Sequence, residues 1–350
     1  MQQNPQPTER RVTQDDVASM AGVTRSVVSY VLNGGRAVAP ETRERVLAAI
    51  ERLGYRPNKY AQGLMRGGGG PAAVRQIGIV LNNARSFQRP YYAEILAGIH
   101  AKAHDESYHI RFIRFFNDLR NPALFNGLIH DEEVCGLILI ALDQSISTDQ
   151  DRALLERAHR RIPNIVCVEW QSPGLSSVTF NRQEAALTAA RHLLSLGHRR
   201  LAYIGERDNR VAGFHQALIE SGVGDVSSYP VEDADDMRSG YQAAERVLPG
   251  RPDISAVVAG SDEVAIGVLR WLHAHGITVP GQVALASIDG IEMSEFTDPP
   301  LTTVDVQKAN MGRLAVQMLI DRDRRGESQP VTVLLPSTLV VRESCGAPRS

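Results

Sequence analysis

The feature that most constrains the fold lies between residues 75 and 344. Short apolar runs recur there, each followed by a stretch with helical spacing. IGIVL (77–81) precedes an amphipathic stretch at 91–103, and HIRFIRFF (109–116), VCGLILIAL (134–142) and NIVCVEW (164–170) follow. Residues 182–196 read as a helix stopped by Gly197; LAYIG (201–205), SAVVAG (255–260) and VALASID (283–289) complete the series. Fully apolar runs of this length suit strands buried on both faces, and strand–helix alternation implies parallel pairing with right-handed crossovers. This segment is long enough for two Rossmann-like lobes, so the fold class is α/β. Ligands in open parallel sheets bind beyond the carboxyl ends of the strands, so a cleft between two such lobes is the expected pocket.

Residues 12–56 have a different texture. Thr13 followed by Asp16 reads as a helix N-cap with an acidic third position, and Val17, Met20 and Ala21 share one face. Gly22 breaks this helix. Thr24 can cap a second at 25–32, ended by Asn33-Gly34-Gly35. Two short helices joined by a tight glycine turn form a helix-turn-helix unit. Val23, Val28, Val31 and Leu32 can pack inward, which leaves Thr24, Arg25, Ser26, Ser29 and Tyr30 facing out. Short hydrogen-bonding side chains with one guanidinium suit base edges and phosphates in a major groove; they also suit a plain solvated face. A third helix starts at Pro40, carries Val46, Leu47, Ile50 and Leu53 at helical spacing, and ends at Gly54.

Charge supports the division. The net charge is −2, but residues 1–66 carry ten Lys/Arg against six Asp/Glu, and the remainder 28 against 34. A basic head on an acidic body is the asymmetry expected when only the head meets phosphate. Cys135, Cys167 and Cys345 have no metal-ligand or redox spacing, so they read as thiols in a reducing compartment. The first residues, MQQNPQPTERR, lack an apolar segment of the secretory kind, and no apolar run approaches the ~20 residues of a membrane helix. Both point to the cytoplasm. No GxGxxG or GxxxxGK string follows a strand, and no nucleophile–base–orienter set, phosphate loop or metal cluster is evident, so no cofactor, metal or enzymatic role is expected.

The strings DDVASMAGVTRSVVSYVLNGG and VAPETRERVLAAIERLGYRPN strongly resemble the DNA-binding head of the lactose/galactose-repressor family of bacterial regulators. SLGHRRLAYIG, RVAGFHQAL, AVVAGSDEVAIGVLRWLHAHGITVP and DPPLTTV extend the resemblance through a periplasmic-binding-protein-like core. It implies a homodimer that reads a pseudopalindromic double-stranded operator under the control of a small-molecule effector, with a sugar as the default. Thr24, Arg25, Ser26, Ser29, Tyr30 and Asn33 are thereby assigned to DNA. Tyr30 stands where relatives often carry Arg, so the operator half-site is not inherited.

In the linker at 57–74, the resemblance implies a hinge helix that folds only in the dimer on DNA. Asn58, Ala61 and Leu64 are assigned to DNA there, with Leu64 as the minor-groove wedge. Gly63 departs from the family pattern and costs that helix about 1 kcal/mol relative to alanine, so the hinge is expected to depend more on DNA. Residues 1–11 read as a tail and 345–350 as a loose C-terminus.

For the effector, the resemblance points to Pro90-Tyr91-Tyr92, Arg210, Ser261-Asp262 and Asp289. Other readings stay open. Tyr91 and Tyr92 fit a core at a helix start, Asp262 fits an N-cap, and Arg210 fits a surface pair with Asp208 or Glu206. Trp170 fits sugar stacking as well as core or rim, while Trp271 fits core or dimer interface. Ser261-Asp262 stands where relatives commonly have Asn-Asp, and Phe180-Asn181 where they have Asp-Asn. A nucleobase or another metabolite therefore remains a possible effector, and a transporter's solute-binding protein remains the alternative for the two-lobed body.

Overall fold

A computed structural model of the chain describes residues 12–33, 38–55, 75–222, 226–325 and 329–346. The expectations placed on residues 57–74, with Asn58, Ala61, Gly63 and Leu64, lie outside the described residues, as does the tail at 1–11.

The head is three helices: α1 (Gln14–Ala21), α2 (Arg25–Asn33) and α3 (Pro40–Leu53). Thr13 and Asp16 form a reciprocal capping box at the start of α1. Gly22 ends α1 at φ 63° and ψ 43°, a left-handed conformation that glycine adopts without a Cβ clash. Gly54 ends α3 in the same way. Val17, Ala18, Ala21, Val28, Val31, Val46, Ala49, Ile50 and Tyr55 make the core. Met20, expected on the inner face of α1, is instead 47% exposed. Ala18 is buried beside Val17 and Ala21.

The body continues β1 (Gln76–Leu81), α4 (Ala84–Phe87), α5 (Pro90–Asp105), β2 (His109–Phe115), α6 (Pro122–Leu128), β3 (Gly136–Ile140), α7 (Asp149–Arg161), β4 (Ile165–Val168), β5 (Ser176–Phe180) and α8 (Arg182–Ser195). Then come β6 (Leu201–Ile204), α9 (Asn209–Glu220), β7 (Val231–Glu232), α10 (Met237–Val247), β8 (Ala256–Ala259), α11 (Asp262–Ala274), β9 (Ala284–Asp289), β10 (Thr302–Val306), α12 (Lys308–Arg325), β11 (Thr332–Leu335) and β12 (Ser337–Val340). They form two six-stranded sheets, ordered β11-β5-β4-β3-β1-β2 and β12-β10-β9-β8-β6-β7. The central pairs are parallel, as the apolar runs require. β12 breaks the expectation by pairing antiparallel to β10 at the sheet edge.

Two compact units partition the chain: Met1–Arg89, Ile99–Ser177 and Gly312–Val331 in one, and Pro90–Gly98, Val178–Met311 and Thr332–Ser350 in the other. The second unit has a core of aliphatic side chains around Val257, Leu269, Trp271 and Leu285. Trp271 is 3% exposed there, so it is a core residue. Cys345, placed by its sequence in a loose end, is buried; its thiol receives a hydrogen bond from Thr302 Oγ1 at 3.1 Å. Beside it Ser344 donates to the Leu285 carbonyl at 2.7 Å, so the ordered body runs past residue 344.

Candidate functional site

On the head, Gly22 sets the turn and the Val23 amide closes it on the Ala18 carbonyl at 3.0 Å. The apolar side of α2, Val28 and Val31, is spent on the core. Thr24, Arg25, Ser26 and Tyr30 are consequently exposed, with Ser29 half-buried beside them. Arg25 Nε donates to Gln14 Oε1 at 3.3 Å, and Asp15 lies 3.9 Å from its guanidinium. Both partners come from the first turn of α1, so the two helices orient this guanidinium jointly. Asn33 is the last residue of α2.

The second unit assembles a charged group from strand ends and helix starts. Asp208 caps α9, its carboxylate accepting the Arg210 amide at 2.9 Å. The Arg210 side chain is almost wholly buried. One end of its guanidinium donates to Glu206 Oε2 at 3.1 Å, and the other lies 3.6 Å from Asp208 Oδ2. Burial opposes its charge, but Asp208, Glu206, Tyr203 and Asp289 favour it, and the net shift is upward. Its Nε is buried with no hydrogen-bond partner among the described residues. Tyr203 donates to the Glu206 carbonyl at 3.1 Å and fixes the loop that carries these acids.

Asp289 ends β9 at φ 119°, a conformation rare for a residue with a side chain, and is 5% exposed. Gly290 follows at φ 67° and passes so close to Asp305 that a Cβ would collide with it. Tyr91 and Tyr92 open α5 behind Pro90, edge-to-face with ring centroids 5.2 Å apart. Tyr91 is buried and Tyr92 half-buried.

Ser261 and Asp262 have structural duties. Ser261, not Asp262, is the N-cap of α11, accepting the Val264 amide at 3.2 Å. Asp262 is the first helical residue and is fully buried. Its carboxylate accepts from Ser287 at 2.5 Å, Thr303 at 2.6 Å and the Ile291 amide at 2.8 Å. Burial raises its carboxyl above the ordinary value against the pull of these donors. Trp170, which fitted sugar stacking as well as core or rim, packs in the core around Val80, Phe125 and Leu139, and its indole N–H donates to the Leu139 carbonyl at 3.0 Å. Among the described residues no group of His, Cys, Asp or Glu has the arrangement of a metal site, and no helix is long and apolar enough to cross a membrane.

A helix-turn-helix head followed by two mainly parallel sheets, with a buried, ion-paired guanidinium at a helix start, is the build of a DNA-binding transcription regulator with an effector-binding core. Residues 13–58 match the family described as bacterial regulatory proteins, lacI family, and residues 190–345 match a periplasmic binding protein-like domain. The HTH-type transcriptional regulator CelR of Thermobifida fusca is 32% identical over 346 residues, covering 96% of this chain and 98% of that protein. A solved CelR–cellobiose complex aligns with a TM-score of 0.68 at 29% identity, over 95% of this chain and 100% of that one. The lac repressor dimer bound to operator and the anti-inducer ONPF aligns at 0.66 and 25% identity, over 97% and 100%. The chain belongs to the LacI family of bacterial transcription regulators. The alternative of a transporter's solute-binding protein falls, because the family match includes the DNA-binding head.

Sequence reasoning missed Glu94 and Lys308, whose side chains meet near Asp289. Neither sits in a recognisable string, and only the folded chain brings them together.

Proposed function

We propose that the chain is a homodimeric repressor, not a catalyst, that reads a pseudopalindromic operator in the cytoplasm and is released from it by a neutral sugar. Thr24, Arg25, Ser26, Ser29, Tyr30 and Asn33 would meet the major groove, and Asn58, Ala61 and Leu64 the hinge site. The likeness to the lac repressor dimer on its operator supports the dimeric arrangement. Two heads on a two-fold axis then require two half-sites.

Arg210 carries the effector reading. A buried guanidinium with both ends on carboxylates is already neutralised, and Asp289 adds a further negative charge near it. Such a group disfavours a phosphate or carboxylate ligand, while its unpartnered Nε can still donate to a hydroxyl. With Tyr91 or Tyr92 as an aromatic wall and Asp289 as an acceptor, this chemistry suits a hydroxyl-rich, uncharged molecule. The cellobiose bound to CelR is of that kind. Ser261 and Asp262 support the strand end from behind.

Effector and operator would act by linkage. If the sugar binds the operator-free state better by some factor, the operator must weaken sugar binding by the same factor. The test is operator-release titration of the full-length protein with cellobiose, other neutral sugars, sugar phosphates and uronic acids. Release by a neutral sugar alone supports the proposal. Release by an anionic sugar contradicts the charge argument, and tightening instead of release makes the ligand a co-repressor.

A further inference from the structure

Lys308 is 2% exposed, an unusual place for an ammonium group. It is the first residue of α12, and its Nζ donates to the carbonyls of Asp289 at 2.6 Å and Gly290 at 2.9 Å. The Val306 carbonyl and Asp305 Oδ1 each lie at 3.3 Å, and Glu94 Oε2 at 3.5 Å. Two of these partners form the turn that bears Asp289, held at the consecutive positive φ values of 119° and 67°. Strained backbone of this sort persists only where its surroundings over-determine it, and hydrogen bonds to both carbonyls do that. Glu94 lies on the first turns of α5, the helix that Tyr91 and Tyr92 open. The two helices are already pressed together there: a Cβ on Gly98 would collide with the Ala309 carbonyl.

We infer that Lys308 is a positioning residue for effector recognition, a buried ammonium clamp that fixes the Asp289–Gly290 turn and the Tyr91 end of α5 in one mutual geometry. The inference rests on the reading of Asp289 and Tyr91 as effector contacts. The clamp is cationic because its partners are three carbonyls and two carboxylates, and a buried ammonium requires this many oxygens to replace its hydration. Glu94 is the weaker arm. It is half-buried, and burial holds its carboxyl above the ordinary value despite the attraction of Lys308.

The test compares amide hydrogen exchange of the full-length protein with that of Lys308→Met, Glu94→Gln and Lys102→Met. Lys102 pairs with Glu106 at 2.8 Å at the far end of α5 and serves as the control. In Lys308→Met, the Gly290 and Ile291 amides and the first turns of α5 should exchange faster by about tenfold or more, while β6 keeps its protection. Glu94→Gln should loosen the α5 start alone, and Lys102→Met should leave both segments as they were. Should Lys308→Met fail to fold, Glu94→Gln still decides, since an unchanged α5 start would overturn the clamp. Unchanged protection at Gly290 and Ile291 in Lys308→Met would overturn it too, as would uniform loosening of the whole second unit. A calorimetric titration with cellobiose separates the two layers. A roughly tenfold weaker affinity in folded Lys308→Met supports positioning. An affinity equal to that of the wild type, in a variant with a loosened turn, removes the link to recognition. If the wild-type protein does not bind cellobiose, that choice of sugar fails while the exchange results still decide the clamp.

Discussion

The Asp262 carboxylate accepts a 2.6 Å hydrogen bond from the Thr303 hydroxyl, joining the start of α11 to β10 across the buried end of β9. With Ser287 and the Ile291 amide it makes a closed polar node under the Asp289 turn. Asp262→Ala leaves the buried Thr303 hydroxyl and Ile291 amide without an acceptor, while Ser287 keeps the Thr302 carbonyl at 3.3 Å. At about 1–3 kcal/mol for each unsatisfied group, a stability loss of roughly 2 kcal/mol or more is expected in denaturant unfolding. A loss below about 1 kcal/mol would show that the node is not structural.

Asp262 also gives the protein a pH signature. Its carboxyl is raised above 3.8 in the folded state, so the folded chain holds a proton that the unfolded chain has released. Stability from this group is present below the ordinary value and is lost as pH rises through the folded value. Asp262→Asn removes that slope, whatever it costs in overall stability. The stability of the wild type relative to Asp262→Asn should therefore fall as pH rises from 3.8 to about 6. Parallel curves would contradict the assignment.

Arg210→Lys keeps a positive charge but loses the fork that meets Glu206 and Asp208 together. Effector-induced operator release should need about tenfold or more additional sugar, with operator affinity in the absence of sugar little changed. Equal loss of both would mean a defect in folding.

Gly22→Ala places a Cβ at φ 63° in the turn between α1 and α2. The left-handed conformation costs a non-glycine residue roughly 1–2 kcal/mol. Melting of the head should shift downward, and sugar binding should be unaffected. A parallel loss of sugar binding would show that the head's stability is not independent.

Much of this architecture was legible because its signals are local. Thr13, Gly22, Pro40 and Gly54 mark helix ends through their own backbone chemistry, and each stands where its residue type predicted. The apolar strands announced themselves for the same reason. β10 and β12 did not: TTVDV and STLV are rich in threonine and serine, and β12 is an edge strand. The exchange of roles between Ser261 and Asp262 was equally hidden. A carboxylate beside a strand end reads as a ligand contact until Ser287 and Thr303 are seen to occupy it. Trp170 was ambiguous for a related reason, since its N–H partner Leu139 lies on a neighbouring strand. Lys308 carried no signal, because five backbone and side-chain oxygens from three segments meet only in the folded chain.

The central claim is that the exposed face of α2 reads a two-fold DNA site. The most direct measurement is selection from random duplex DNA by the full-length protein and by the Arg25→Ala/Tyr30→Ala variant. Both substituted residues are exposed, so the fold is retained. The account predicts recovery of one pseudopalindromic site by the wild-type protein, with affinity falling steeply in salt, and an affinity for it at least about tenfold lower in the variant. Recovery of no specific site, with and without a pool of sugars, or equal recovery by the variant, would contradict it.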